Sequence, residues 1–267
     1  GQVLGGGQNG IVNYKTFNNN LGGEIKIDRV LYDGIVNDNS NALFTNSDKI
    51  TIGSQGSIGE AGLWNNGTFI NNMGAEIKID RITEGVGLAH HTGTFSNFAK
   101  IKIGGLQSVS YNGLWNSGTF ENNVGGEISI DRFVEEGLYN TSGTFKNDAL
   151  VIIGELGNMG THGIYNGATI NNNACAELSI YAPLNNESAF TNTGLFTVNT
   201  IDARTNTVLT NNGIIEYPQG NPIPNVTNND IVGVPVTGEC VEIVNALQIG
   251  GSNNFTVAGN WYQDEAL

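Results

Sequence analysis

The sequence predicts an all-β chain: a parallel β-helix (β-solenoid) of about 25 residues per coil, followed by a short β-rich tail. Three observations predict it. The first is repetition. Residues 62–81 (GLWNNGTFINNMGAEIKIDR) recur at 113–132 as GLWNSGTFENNVGGEISIDR, with a looser copy at 10–29 and a degenerate one at 163–182. The glutamates opening the last strand of each copy, Glu24, Glu76, Glu127 and Glu177, stand 52, 51 and 50 residues apart. A shorter type lies between them, at 34–53, 87–104 and 137–154, so the true repeat is half the long interval, in alternating A and B coils.

The second observation is local period. Ile77-Lys78-Ile79, Ile50-Thr51-Ile52 and Ile128-Ser129-Ile130 alternate apolar and polar residues, as a strand with one buried face does. A helix needs apolar residues three and four apart, and would not tolerate this much Gly and Asn. The third is the set of fixed columns. Aligned coils place Phe17, Phe44, Phe69, Phe95, Phe120 and Phe145 in one column, continued by Ile170 and Phe196. Two residues later comes an Asn column: Asn19, Asn46, Asn71, Asn97, Asn122, Asn147 and Asn172. An aliphatic column (Ile35, Leu63, Leu88, Leu114, Leu138, Ile164) is followed two residues on by Asn37, Asn65, His90, Asn116, Asn140 and Asn166. Coils stack at the strand spacing of about 4.8 Å, so an amide carrying donors and an acceptor bonds the amides above and below it. Stacked phenylalanines fill the interior. The general preference for right-handed parallel crossovers makes the expected coil right-handed.

Taken in order, residues 1–9 read as a partial coil, with more chain expected before them. Residues 1–217 form the solenoid, and its repeat decays after Ala189. Pro218, Pro222 and Pro224 mark a linker over 218–224. Residues 225–267 alternate like strands, and are either a cap on the last coil or the start of a further β domain. The two cysteines, Cys175 and Cys240, lie far apart; the spacing gives no support to their pairing and leaves it open.

Composition bounds the partners. The net charge is −14 over 267 residues, without a basic stripe to neutralise phosphates, so nucleic acid is not an expected partner. No apolar run is long enough to span a bilayer, so direct membrane insertion is not expected. Only 13% of residues are charged and 38 are Gly, a surface typical of extracellular fibres.

Several columns invite a chemical reading. The residues after the aliphatic column are Val36, Trp64, Ala89, Trp115, Tyr139 and Tyr165. They face outward, so Trp64, Trp115, Tyr139 and Tyr165 are candidates for binding a glycan or a neighbouring rod, with Trp64 and Trp115 two coils, about 10 Å, apart. Asp28-Arg29, Asp80-Arg81 and Asp131-Arg132 recur only in A coils. A catalytic pair or Ca²⁺ site is one constellation, whereas these repeat; turn capping by Asp, with Arg as a surface ion-pair partner, is the expectation. The histidines, His90, His91 and His162, lack the companions of a metal site or a triad. No catalytic residue, cofactor or metal is therefore expected. An outward Thr row (Thr16, Thr68, Thr94, Thr119, Thr144, Thr169) has irregular, charged neighbours, unlike an ice-binding surface.

The GTFxN and GxIxI(D/G) repeats over residues 10–215 resemble those of large secreted bacterial surface proteins, the β-helical adhesins and extracellular filament or stalk proteins. The resemblance implies a rigid rod for attachment or presentation at the bacterial cell surface, not an enzyme. Copies of itself in a homo-oligomeric fibre and cell-surface glycans are the implied partners. The alternative is a carbohydrate-binding or polysaccharide-degrading β-helix. Families of that kind carry non-repeating acidic, His, Arg or Lys clusters, from which this sequence departs.

Overall fold

A computed structural model describes residues 2–4, 7–157, 160–202, 209–217 and 226–228. The chain is all-β, and its strands stack in three parallel sheets of eight, ten and ten strands among the described residues. One coil shows the pattern. Leu63–Asn65 belongs to the first sheet, Thr68–Asn71 to the second and Glu76–Ile79 to the third. The next coil repeats it with Leu88–His90, Thr94–Asn97 and Lys100–Ile103, paired in parallel with Leu63↔Leu88, Phe69↔Phe95 and Ile77↔Ile101. Ten strands at about 4.8 Å make a rod roughly 45 Å long.

The coils from Ile35 to Ile153 contribute the same kind of cross-section to the core. The first sheet gives one aliphatic residue, the second one Phe and the third two aliphatics, such as Leu88, Phe95, Ile101 and Ile103, all fully buried. From Phe17 to Phe120 neighbouring ring centroids are 4.6–4.7 Å apart, with planes within 18° of parallel. The spacing is that of the strands and exceeds the carbon contact distance, so the rings lie offset, the arrangement their quadrupoles favour. A further column closes the corner between the third and first sheets: Val30, Ile58, Ile82, Val109 and Phe133 pair one above another through isolated bridges.

The Phe column differs from expectation at its end. Ile170 is followed by Phe190, whereas Phe196 sits in the third sheet above Leu178. The cause is shortening of the coil. Asn97 and Asn122 are 25 residues apart, but Asn172 and Asn192 are 20 apart and Asn192 and Asn211 are 19. The stack continues past the proline-rich stretch, because Val226–Asn228 pairs in register with Leu209–Asn211. At the other end Gln2–Leu4 pairs with the third-sheet strand Glu24–Asp28, as a partial coil would. The Pro-rich residues 218–224 and the tail beyond Asn228, Cys240 included, lie outside the described residues. Cys175 is disulfide-bonded. It takes a left-handed turn position, φ 68°, which Gly22, Gly74 and Gly125 occupy in the other A coils.

The A/B alternation has a structural cause at the corner after the third sheet. Asp80 is buried and accepts the Leu106 N–H of the following B coil at 2.7 Å. Arg81 reaches back to the preceding B coil and donates to the carbonyls of Gly53, at 3.0 Å, and Ser54. Asp131 and Arg132 do the same, Asp131 accepting from Leu156 N–H at 3.0 Å and Arg132 donating to Gly104 and Gly105. Asp28 accepts from Gln55 N–H at 2.8 Å. One A coil thus ties down the loops of both neighbours. Arg81 and Arg132 therefore bind backbone rather than serve as ion-pair partners: a guanidinium beside two unpaired loop carbonyls satisfies both. Arg81 and Arg132 do so from left-handed φ values of 53° and 33°, and Arg29 shares the left-handed conformation at 60°. Gly53 is required below, since a Cβ there would lie 1.8 Å from the Asp80 carbonyl oxygen.

Candidate functional site

Two asparagine ladders run the length of the rod at the two corners flanking the second sheet. The one predicted from Asn19 to Asn172 is unbroken. Each Nδ2 donates to the Oδ1 of the next coil at 2.7–2.8 Å, from Asn19 through Asn46, Asn71, Asn97, Asn122, Asn147 and Asn172 to Asn192 and Asn211. The second Nδ2 hydrogen goes to a backbone carbonyl, as in Asn97 to Ala99 at 2.8 Å. These amides are buried, so each pairing satisfies groups that would otherwise be costly.

The other ladder contains one substitution. Asn13, Asn37 and Asn65 pass the bond on at 2.7 Å, and Asn65 Nδ2 then donates to His90 Nδ1 at 2.9 Å. His90 Nε2 lies 3.1 Å from the Thr119 carbonyl, an acceptor only. The neighbours therefore fix the neutral tautomer with its proton on Nε2. The ring supplies the acceptor and one of the two donors that Asn supplies. Asn116 receives no ladder bond from below, and the chain resumes from Asn116 to Asn140 and Asn166 at 2.8 Å. Burial pushes the His90 imidazole down to about 4, although hydrogen bonds with the backbone of Thr119, Gly93 and Asn65 oppose the shift.

Outside this ladder, the four predicted aromatic residues form a ridge with a fifth ring that the sequence did not point to. The gap between Trp64 and Trp115, above the buried Ala89, is filled by His91. It lies flush on Trp64 (4.1 Å, 25°) and edge-on to Trp115 (4.7 Å, 60°). Burial lowers the pKa of His91, and its Nε2 is buried without a hydrogen-bond partner. The ridge continues from Trp115 to Tyr139 (6.1 Å, 58°) and Tyr165 (5.0 Å, 43°). All five rings are half-buried. Trp115 Nε1 donates to Ser117 Oγ at 3.1 Å and Thr141 Oγ1 at 3.2 Å. Tyr165 donates to Glu187 at 2.8 Å, a bond that raises its pKa to about 12.

Beside the Trp115–Tyr165 half of the ridge runs an open groove of about 550 Å³, following the corner between the first and second sheets. Ser117, Thr119, Ser142, Thr144, Thr169 and Ser188 line it over a floor of glycines. The outward Thr row contributes its wall, although Leu43 replaces Thr in register between Thr16 and Thr68. Elsewhere, His162 is buried between two carboxylates, Nδ1 3.5 Å from Glu136 and Nε2 3.1 Å from Asp202. Burial raises the carboxyl pKa of Glu136. With a carboxylate at each nitrogen the ring joins three coils.

The chain matches no protein-family model, no curated protein and no solved structure.

Proposed function

We propose that the chain is a rigid segment of a bacterial extracellular surface fibre, serving attachment or presentation. The observation that supports it most is the continuity of the stack. The ladder from Asn19 to Asn211 does not miss a coil, and each coil adds apolar residues to one continuous core. In a quasi-one-dimensional structure of this kind each coil contacts only its neighbours, so added coils extend the rod while its cross-section holds. The A-coil carboxylates are engaged in capping loops, which leaves the ridge and the groove as the surfaces for attachment. Small-angle scattering extrapolated to infinite dilution tests the rod: an elongated particle is expected, and a compact one sinks the reading. Beads coated with the chain test attachment. Their retention on intact cells should exceed that of beads coated with an unrelated acidic protein, and equal retention contradicts an adhesive role.

Self-association has separate support. Leu21, Met73 and Val124 occupy equivalent A-coil turn tips on one edge and are 87%, 80% and 76% exposed. Apolar residues repeated along a straight edge suit lateral contact between copies. Sedimentation should show a concentration-dependent dimer or larger species that Met73→Ser/Val124→Ser weakens; a strict monomer at high concentration contradicts it.

A further inference from the structure

We infer that the groove beside Trp115, Tyr139 and Tyr165 binds a neutral, linear glycan lying along the rod axis. This rests on the attachment reading above and names its site and ligand class. The groove has the volume of a ligand site and extends over several coils, from Gly93 to Ser188. From Gly93 to Gly143 its floor cannot carry side chains without a clash. A Cβ on Gly143 would lie 1.9 Å from the Gly118 carbonyl oxygen, and one on Gly118 would lie 2.5 Å from His90 Nε2. The close stacking that the ladder imposes therefore keeps the corner open.

What the groove offers selects the ligand. Its backbone donors are used between coils: Ser117 N–H donates to His90 at 2.7 Å, Thr141 to Asn116 at 2.9 Å and Gly167 to Asn140 at 2.8 Å. A peptide cannot add to it by strand pairing, which needs a free edge. Hydroxyl groups and ring surface remain. Ser142 is exposed, and its Oγ makes only a long contact, 3.4 Å, with the Ser117 carbonyl. The Gly, Ser, Thr and Ala residues that line the groove carry no charge, and the chain as a whole carries −14, which disfavours an anionic polysaccharide.

The ring wall is held in place at both ends, by Ser117 and Thr141 on Trp115 and by Glu187 on Tyr165. It meets the groove at its two ends: Tyr165 Cε1 lies 3.2 Å from where a Cβ of the lining Gly167 would be, and Trp115 is bonded to the lining Ser117. Its planes are tilted to one another, unlike the flush Trp64–His91 pair, so ring surface is left for a ligand. A sugar ring presents an apolar C–H face and a polar rim. Here the face meets the aromatic wall and the rim meets the Ser/Thr rows. Those rows repeat at the coil spacing of about 4.8 Å, comparable to one sugar in an extended chain.

Affinity electrophoresis and calorimetry of the whole chain, with a soluble β-glucan, a xylan, a galactomannan and polygalacturonate, test this. Binding to at least one neutral polymer is expected, with none to polygalacturonate. Ser142→Arg fills the groove from an exposed position, and Tyr139→Ala removes the middle of the wall. Each should weaken binding at least about tenfold, while Lys26→Ala, on the third sheet, leaves it unchanged. Thermal unfolding checks that each variant is folded. The inference is overturned if no neutral polymer binds the folded chain, if binding survives both variants, or if polygalacturonate binds best. Failure to bind by a chain that still scatters as a rod removes the glycan site and leaves the rod; a compact particle removes the rod.

Discussion

The two asparagine ladders of this rod are built alike, and one of them has a histidine in it. At the corner between the second and third sheets Asn follows Asn without a break from Asn19 to Asn211. At the corner between the first and second sheets His90 takes one rung. The difference separates what the rung requires from what Asn happens to be. It requires an acceptor facing one neighbour and a donor for a carbonyl of the next coil, and neutral imidazole provides both. It does not strictly require the second donor, whose loss leaves Asn116 to accept only the Gly118 N–H of its own turn, at 3.3 Å.

The largest effect should come from breaking the intact ladder. Asn122→Ala removes the acceptor of Asn97 and the donor of Asn147, both buried, and should cost about 4 kcal/mol in urea unfolding. Asn116→Ala, just past the histidine, strands only one ladder neighbour, Asn140, and should cost about 1 kcal/mol less. Equal losses would mean that the ladder bonds are not separately stabilising.

Acidity sharpens the comparison next. The imidazole ionises near 6.5 when unfolded and at about 4 when folded, so the folded chain holds fewer protons between those values. A depressed folded pKa means that the stabilisation is complete above pH 6.5 and is lost as pH falls toward 4, by roughly 3 kcal/mol over that window. Other groups titrate there too, so the comparison is with His90→Asn. The stability difference between variant and parent should grow by that amount from pH 7.5 to pH 4. A constant difference would show that His90 is not held neutral. At pH 7.5 itself the effect is the smallest. His90→Asn restores a donor to Asn116 but gives up the edge contacts with Phe95 and Phe120, at 6.1 and 6.3 Å, for a net gain of about 0.5 kcal/mol.

Much of this architecture is legible in the sequence because a solenoid writes its cross-section into every coil. Ile-x-Ile, the Phe column and both Asn columns occur at constant offsets, and constant offsets are what stacking preserves. His90 could be read as a rung from its position alone. The reading slips where offsets change. Phe196 looks like the next ring after Ile170, but the coil has shortened to 20 residues and Phe190 takes that place. The bridge column from Val30 to Phe133 is hidden because each member is one residue in a loop of variable length. His91 is hidden for another reason: it follows the strand Leu88–His90 rather than belonging to it, and its ring fills the space between Trp64 and Trp115. The groove is made of Gly, Ser and Thr from successive corners, residues whose local meaning is simply a turn. Arg81 and Arg132 look like partners for the adjacent Asp, and only the neighbouring coils' carbonyls reveal their role.

The measurement closest to the centre of this account is hydrogen exchange of the asparagine side-chain amides, followed by NMR on the folded chain. The amides of Asn71, Asn97, Asn122 and Asn147 should exchange as slowly as the backbone of the sheets they join, while exposed Asn18 and Asn20 exchange at once. Ladder amides exchanging as fast as the exposed ones would contradict a rod held in register by its asparagines.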